Sequence, residues 1–299
     1  MTEEIRKVWD VELDLLHEFD RVCKLHGLTY YASCGTLLGA VRHHGFIPWD
    51  DDIDLFLMWP DYQRLMELAS ESFQYPYFYQ SIYSEPDAMP NACRLRRSDT
   101  TGFTKWEYEN AGREYNKGIF IDVFPLFYVP DTEEERLAQK ENVIHLWECI
   151  RGYGAWKLRE NGRPIPQDYD KYIPVFLELW RQNGEMPDAT RLKENYLLAC
   201  ASCAVRSREV GATSSKCHQK NLMWNTEWFD TTIDLPFENT TIPCPGEYVK
   251  VLEKQYGDWR TPVRGGAMHE MMAIDPDLPW EKFDMRSIEQ ILEKEEPSG

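Results

Sequence analysis

The order of helical and extended signals predicts an α/β fold of the α+β kind, and three observations carry the prediction. A short aromatic segment over 28–33 runs through Gly35 into an apolar, helix-like stretch over 36–41. An acidic run, Asp50, Asp51, Asp52 and Asp54, leads straight into Leu55, Phe56, Leu57 and Met58. From Asp131 onward the composition turns to long helical segments. The chain is accordingly divided into a strand-bearing core over 1–130 and a mainly helical C-terminal region over 131–299.

Ile5, Val8, Leu15, Phe19 and Val22 recur at steps of three, four or seven, which puts one apolar face on a helix over 4–26, and Gly27 supplies its stop. Residues 28–33 then read as a strand, Gly35 as a turn and 36–41 as a helix. The strand beginning near Asp54 is entered through acids. Pro60 suits the start of a helix over about 61–70. Two basic or aromatic strands are expected at about 92–97 and 102–106, and a clearer one at 118–124, ended by Pro125. The acids from Asp131 to Glu135 suit a helix N-terminus, and helices are expected over about 132–158, 168–182 and 189–208. Shorter elements follow around Pro236, Pro243 and Pro245, with a helix over about 246–256. The charged tail from Glu293 reads as frayed.

The chain of 299 residues carries 51 acidic against 33 basic side chains, for a formal net charge of −18. A surface of that sign repels phosphate and anionic lipid, which argues against a general nucleic-acid binder. No stretch reaches the roughly 18 to 20 apolar residues of a membrane-spanning helix. The opening, with Glu3, Glu4, Asp10, Glu12 and Asp14, lacks the basic start and apolar run of a secretory signal. A cytoplasmic protein without an integral membrane segment is expected, and its eight cysteines should be reduced thiols. Cys200 and Cys203 form a C-x-x-C, with Cys217 and His218 at a distance compatible with zinc. The same spacing fits one apolar face of a helix through Leu197, Leu198, Ala201 and Ala204, and buried thiols are the preferred reading.

Residues two apart on a strand share a face, so Asp52 and Asp54 would stand side by side, joined by Asp50 if the extended backbone begins early. Their repulsion calls for a cation, and hard oxygen ligands suit Mg²⁺ or Mn²⁺, which bridge carboxylates to phosphate oxygens. A solvated acidic loop is the ordinary alternative. It is weakened by Asp122, which lies inside the apolar run of Ile119, Phe120, Ile121, Val123 and Phe124, where an unpaired charge is costly. Gly35 and Thr36 open a helix whose free amides and positive dipole end can hold a phosphate. A glycine turn, a paired-acid strand and a third acid on a neighbouring strand together describe a nucleotidyltransferase arrangement.

The stretch G-T-L-L-G-A-V-R-H-H-G-F-I-P-W-D-D-D-I-D at 35–54 resembles the signature of the LicD family, which includes bacterial phosphocholine transferases and is related to the domain of fukutin and fukutin-related protein. The likeness continues at Leu95, Arg96 and Thr100, at G-I-F-I-D-V-F-P-L over 118–126, at L-P-F-E over 235–238, at Pro243 and Pro245, and at Y-G-D-W over 256–259. The resemblance implies a nucleotidyltransferase-like core with a small mixed sheet flanked by helices, whose cleft the C-terminal region completes. It implies Asp52 and Asp54 as paired metal ligands and Asp122 as the third acid. Arg42 and Arg96 lie in matching motifs and would neutralise phosphate, or else pair with the acids. His44 stands where many members carry lysine, beside His43. His269 follows Y-G-D-W at a distance where the family often has a histidine, and Asp258 reads as a folding residue.

The reaction so implied is the Mg²⁺-dependent transfer of a phosphorylated alcohol from a CDP-linked carrier, CDP-choline or similar, to a hydroxyl of a glycan or glycolipid acceptor, with release of CMP. Asp122 would bind metal and accept the hydroxyl proton. Trp49 and Trp106 lie nearest the motifs and could box a choline cation; ribitol, glycerol or ethanolamine phosphate stand as other groups to transfer. One alternative is a nucleotidyltransferase that makes a CDP-alcohol and releases pyrophosphate. Another is an inactive binding or scaffold homologue, against which the intact acids at 52, 54 and 122 argue.

Overall fold

The computed structural model describes residues 3–109, 115–212, 219–263 and 271–284. Helix α1, Glu3–His26, buries Val8, Leu15, Phe19 and Val22, and Gly27 ends it with φ +65. Strand β1, Tyr30–Ala32, passes directly into α2, Cys34–His43, and β2, Asp54–Met58, returns antiparallel to β1. Helix α3, Trp59–Ser72, follows with Pro60 in its first turn. Strands β3, Tyr77–Gln80, and β4, Cys93–Arg97, form the far side of the same sheet.

The expected strand over 102–106 is shorter. Strand β5 covers Thr101–Thr104, and α4, Lys105–Glu109, begins at once. Thr104 and Glu107 explain the switch: the Thr104 hydroxyl accepts from the Glu107 amide at 3.3 Å while Glu107 Oε2 accepts from the Thr104 amide at 2.8 Å. This reciprocal box satisfies amides that a helix start leaves bare.

Strand β6, Ile119–Val129, runs straight through Pro125, against the expectation that proline would end it. The Asp122 amide donates to Ile53 of the β2 side, so by alternation the amide position of residue 125 faces the other edge. On that edge β4 stops at Val123, and strand β7, Glu209–Ala212, starts at Leu126. The missing N–H falls in the gap between two partners, where no ladder bond is lost.

The mixed sheet therefore has the order β1-β2-β6-β4-β3, with β7 following β4 along the same edge of β6, and β8, Met223–Asn225, pairing with β7. Only β2 and β6 run parallel among these pairs. Helix α5, Glu133–Glu160, is capped by Thr132 and packs on α6, Ile173–Asn183, and α7, Ala189–Cys200. Helix α7 ends eight residues before the expected limit at 208. Its last carbonyl is taken from outside, since the Gln139 side chain donates to Cys200 O at 2.9 Å, and the chain must then extend to join β6.

Two small two-stranded antiparallel sheets are also present: the hairpin of β9, Thr232–Phe237, with β10, Thr240–Pro245, and the long-range pair of β5 with β11, Met271–Asp275. Helix α8, Tyr248–Tyr256, lies between the last two. The hydrophobic core joins Leu15 and Phe19 of α1 and Leu55 and Val123 of the sheet to Tyr196 of α7, Phe237 of β9 and Trp259 beyond α8. Among the described residues no helix is long and apolar enough to cross a membrane.

Candidate active site

The site is assembled where α2 begins. The Thr36 hydroxyl, buried, accepts from the Asp54 amide at 2.8 Å, and the Ser33 amide donates to the Asp54 carbonyl at 3.0 Å. Both backbone polar groups of Asp54 are thereby tied to the start of α2, which fixes where β2 begins. Thr36 acts on the acid beside it and does not line the cavity described below. Gly35 has a different constraint: a Cβ there would run into Asp50 Oδ2. A carboxylate of the chain itself sits against the first turn of α2, the end that favours negative charge.

Asp54 and Asp122 are register partners on the parallel strands β2 and β6, so their side chains rise from the same face. Asp52 lies in the irregular segment that leads into β2, outside the strand proper. All three acids line one cavity of about 610 Å³, together with Gly35, Asp50 and Arg42. Trp49, Gln255, Tyr256, Asp258 and Trp259 also face it, so the segment at and beyond the end of α8 contributes a wall. Burial raises the Asp54 carboxyl well above the ordinary range, and Asp52, Asp122 and Asp50 push it further. A pocket that resists ionisation in this way is one that a cation would relieve, and an all-carboxylate donor set fits Mg²⁺ or Mn²⁺.

Asp122, 4% exposed, is held by Arg94, whose Nε donates to Oδ1 at 2.7 Å. The same guanidinium donates from Nη1 to Glu107 Oε1 at 2.7 Å and lies 3.8 Å over the Phe120 ring. Sequence reasoning missed Arg94. Its signal is the register, because Arg94 on β4 stands opposite Asp122, whereas Arg96 stands opposite Phe120. Arg96 is fully buried and occupied by Glu107, by Gln80 Oε1 at 2.9 Å and by the Gly118 carbonyl at 2.8 Å, and it does not line the cavity.

Arg42 does reach the cavity, from the last turn of α2. Its Nη1 donates to the Trp259 carbonyl at 3.1 Å, and no carboxylate pairs with it among the described residues. His43 sits edge-on to Trp49 at 6.5 Å, its pKa lowered by burial and by Arg42. His44 is the left-handed C-cap of α2, with φ 58, and its carbonyl accepts from the Glu238 amide at 2.8 Å. Asp258 accepts from the Thr261 hydroxyl at 2.8 Å while lining the cavity.

The expected Cys200–Cys203 helix face is corrected: Cys200 is the last, buried residue of α7, while Cys203 lies beyond it, with Sγ 3.4 Å from the Val205 carbonyl. The described cysteines are free thiols. Cys217, His218 and His269 lie outside the described residues, and Trp106 falls on α4.

Comparison with known proteins finds similar sequences. Residues 27–145 match the family described as "LicD/FKTN/FKRP, nucleotidyltransferase domain". A 56-residue segment is 45% identical to lipopolysaccharide cholinephosphotransferase LicD of Haemophilus influenzae, covering 19% of this chain and 21% of that protein. Uncharacterised proteins of Rickettsia prowazekii and Rickettsia typhi are each 35% identical, over 72 and 63 residues, covering 23% and 21% of this chain. The chain thus spans between 20% and 27% of the length of these relatives.

Proposed function

We propose, from the match of residues 27–145 to the LicD nucleotidyltransferase-domain family, that the protein is a divalent-cation-dependent transferase. In this reading it moves a phosphorylated alcohol, phosphocholine or a similar group, from a CDP-linked carrier to a hydroxyl of a glycan or glycolipid, and CMP leaves. The observation that carries the reading is the meeting of Asp52, Asp54 and Asp122 in one cavity of about 610 Å³, a size within the range of small-ligand sites, about 300 to 1,000 Å³. Choline is suggested by the likeness to the Haemophilus cholinephosphotransferase.

Asp52, Asp54 and Asp122 would hold Mg²⁺ or Mn²⁺. Such a cation, when bound, supplies charge neutralisation at a diphosphate. Arg42 adds positive charge to the lining and suits a phosphate oxygen. Trp49, Tyr256 and Trp259 offer aromatic faces against which a quaternary ammonium packs. Asp122, oriented by Arg94, takes the proton of the attacking hydroxyl. The bond formed joins the acceptor oxygen to the distal phosphorus, and the bond broken is the one to the CMP oxygen.

The test is to incubate the protein with Mg²⁺, a hydroxyl acceptor and a panel of CDP-linked alcohols, and separately with nucleoside triphosphates and phosphorylated alcohols, and to weigh the nucleotide products. CMP from the first mixture supports transfer. Pyrophosphate from the second assigns a nucleotidyltransferase instead, and no turnover in either with Mg²⁺ or Mn²⁺ favours a binding homologue.

A further inference from the structure

Glu107 lies outside the cavity, on α4, and is 2% exposed. Its own segment sets its position, since Oε2 accepts from the Thr104 amide at 2.8 Å and from the Thr104 hydroxyl at 3.2 Å. The other oxygen, Oε1, meets β4, where it accepts from Arg94 Nη1 at 2.7 Å and from Arg96 Nη2. Arg94 in turn gives its Nε to Asp122 Oδ1 at 2.7 Å. Asp122, Arg94, Glu107 and Arg96 therefore form a row of alternating charge, with both guanidinia over the Phe120 ring. Strand β5, which leads into α4, pairs with β11, whereas Asp122 and both arginines stand on the mixed sheet. Glu107 is thus held from a different sheet than the acid at the far end of the row.

A guanidinium is a rigid planar fork, so fixing two of its nitrogens on different acids fixes its plane. While Glu107 holds Nη1, Arg94 cannot turn both terminal nitrogens on Asp122 in an end-on bidentate pair. Its charge is also divided between two carboxylates, one of them outside the cavity. Without Glu107 the whole charge would fall on Asp122, and a carboxylate closed by arginine is a poorer ligand for a cation and a poorer acceptor of a proton. We propose that Glu107 is a positioning residue, which acts through Arg94 to keep Asp122 available to a divalent cation in the cavity. This role rests on the transferase reading only in placing a cation at Asp122, and is independent of the group transferred.

Mn²⁺ titration without any carrier, followed by the electron paramagnetic resonance signal of the free ion, tests it. Glu107→Gln should weaken Mn²⁺ binding by about 10- to 100-fold, the usual effect of losing a group that orients a ligand. The same change made on top of Arg94→Gln should add little, because the route runs through Arg94. A residue that only capped α4 would lower the urea midpoint and leave the Mn²⁺ affinity of the folded protein unchanged. Should Glu107→Gln fail to fold by circular dichroism, Glu107→Asp decides. It keeps the charge and a carboxylate for the Thr104 amide but draws back from Arg94 by one methylene, and weaker Mn²⁺ binding is again expected. Unaltered affinity in the variant that folds, or an equal loss with and without Arg94, overturns the proposal. CMP release by a Glu107→Gln protein of unchanged Mn²⁺ affinity would leave the transferase reading standing while this role falls; weakened Mn²⁺ binding in that variant, with no turnover by the unaltered protein, would do the reverse.

Discussion

Arg94 and Arg96 sit two apart on one strand and share the Phe120 ring, at 3.8 and 4.6 Å from its centroid, yet they have different work. Motif likeness points at Arg96, which the structure spends on the packing of Glu107 and two carbonyls. Arg94 is the one that meets Asp122, and only strand register tells them apart, information that a local pattern does not hold. The acids were legible for a local reason, because Asp54 and Asp122 each adjoin an apolar run. Arg94→Ala removes the guanidinium that bridges Asp122 and Glu107, and breaking a buried pair costs about 3 to 5 kcal/mol. A lower urea midpoint is the expected reading, with Arg94→Lys recovering part of it because one ammonium cannot fork to both acids. Asp122→Asn should lower single-turnover rate by on the order of 100-fold with a smaller change in carrier affinity. A collapse of binding with an intact chemical rate would assign Asp122 to the carrier alone.

At the scale of elements, the joint between α2 and β2 decides where the acids stand. The sequence shows a glycine turn beside a threonine and suggests phosphate binding. It cannot show that the Thr36 hydroxyl would accept the amide of a residue 18 positions on. Thr36→Val keeps the shape and leaves that amide unpartnered, a loss of about 1 to 3 kcal/mol, whereas Thr36→Ser should retain most of the stability. Urea unfolding of both variants measures this; equal midpoints for Val and the unaltered protein would deny the joint. The strand through Pro125 and the early end of α7 were illegible for a related reason. Each depends on where a partner stops or starts, β4 and β7 for the proline and Gln139 for the helix. The Thr104 to Glu107 capping box, by contrast, stands in the sequence as T-x-x-E, a local signal that the expected strand over 102–106 overrode.

For the whole molecule, the concentrated acid makes stability a function of pH and of cation. Asp54 and Glu12 both have folded-state pKa values raised above the ordinary carboxylate range. The folded state therefore binds more protons than the unfolded one, and stability falls as pH rises. In EDTA the melting temperature should drop between about pH 5 and pH 8, and Mg²⁺ or Mn²⁺ should restore it most at the upper end. A flat profile with chelator, or no response to cation, would mean that the acids are not held against their own repulsion. The same site is stitched together over long stretches of chain: Gln255 reaches Cys34 Sγ at 3.6 Å across 221 positions, and the Tyr31 hydroxyl donates to the Phe229 carbonyl across 198. At ribosomal rates of about 5 to 20 residues per second, the start of α2 is synthesised roughly 10 to 45 s before the segment that walls it in. Throughout that interval a nascent chain carries the acids without Tyr256 and Trp259, so translation order itself separates the charge trap from the finished pocket.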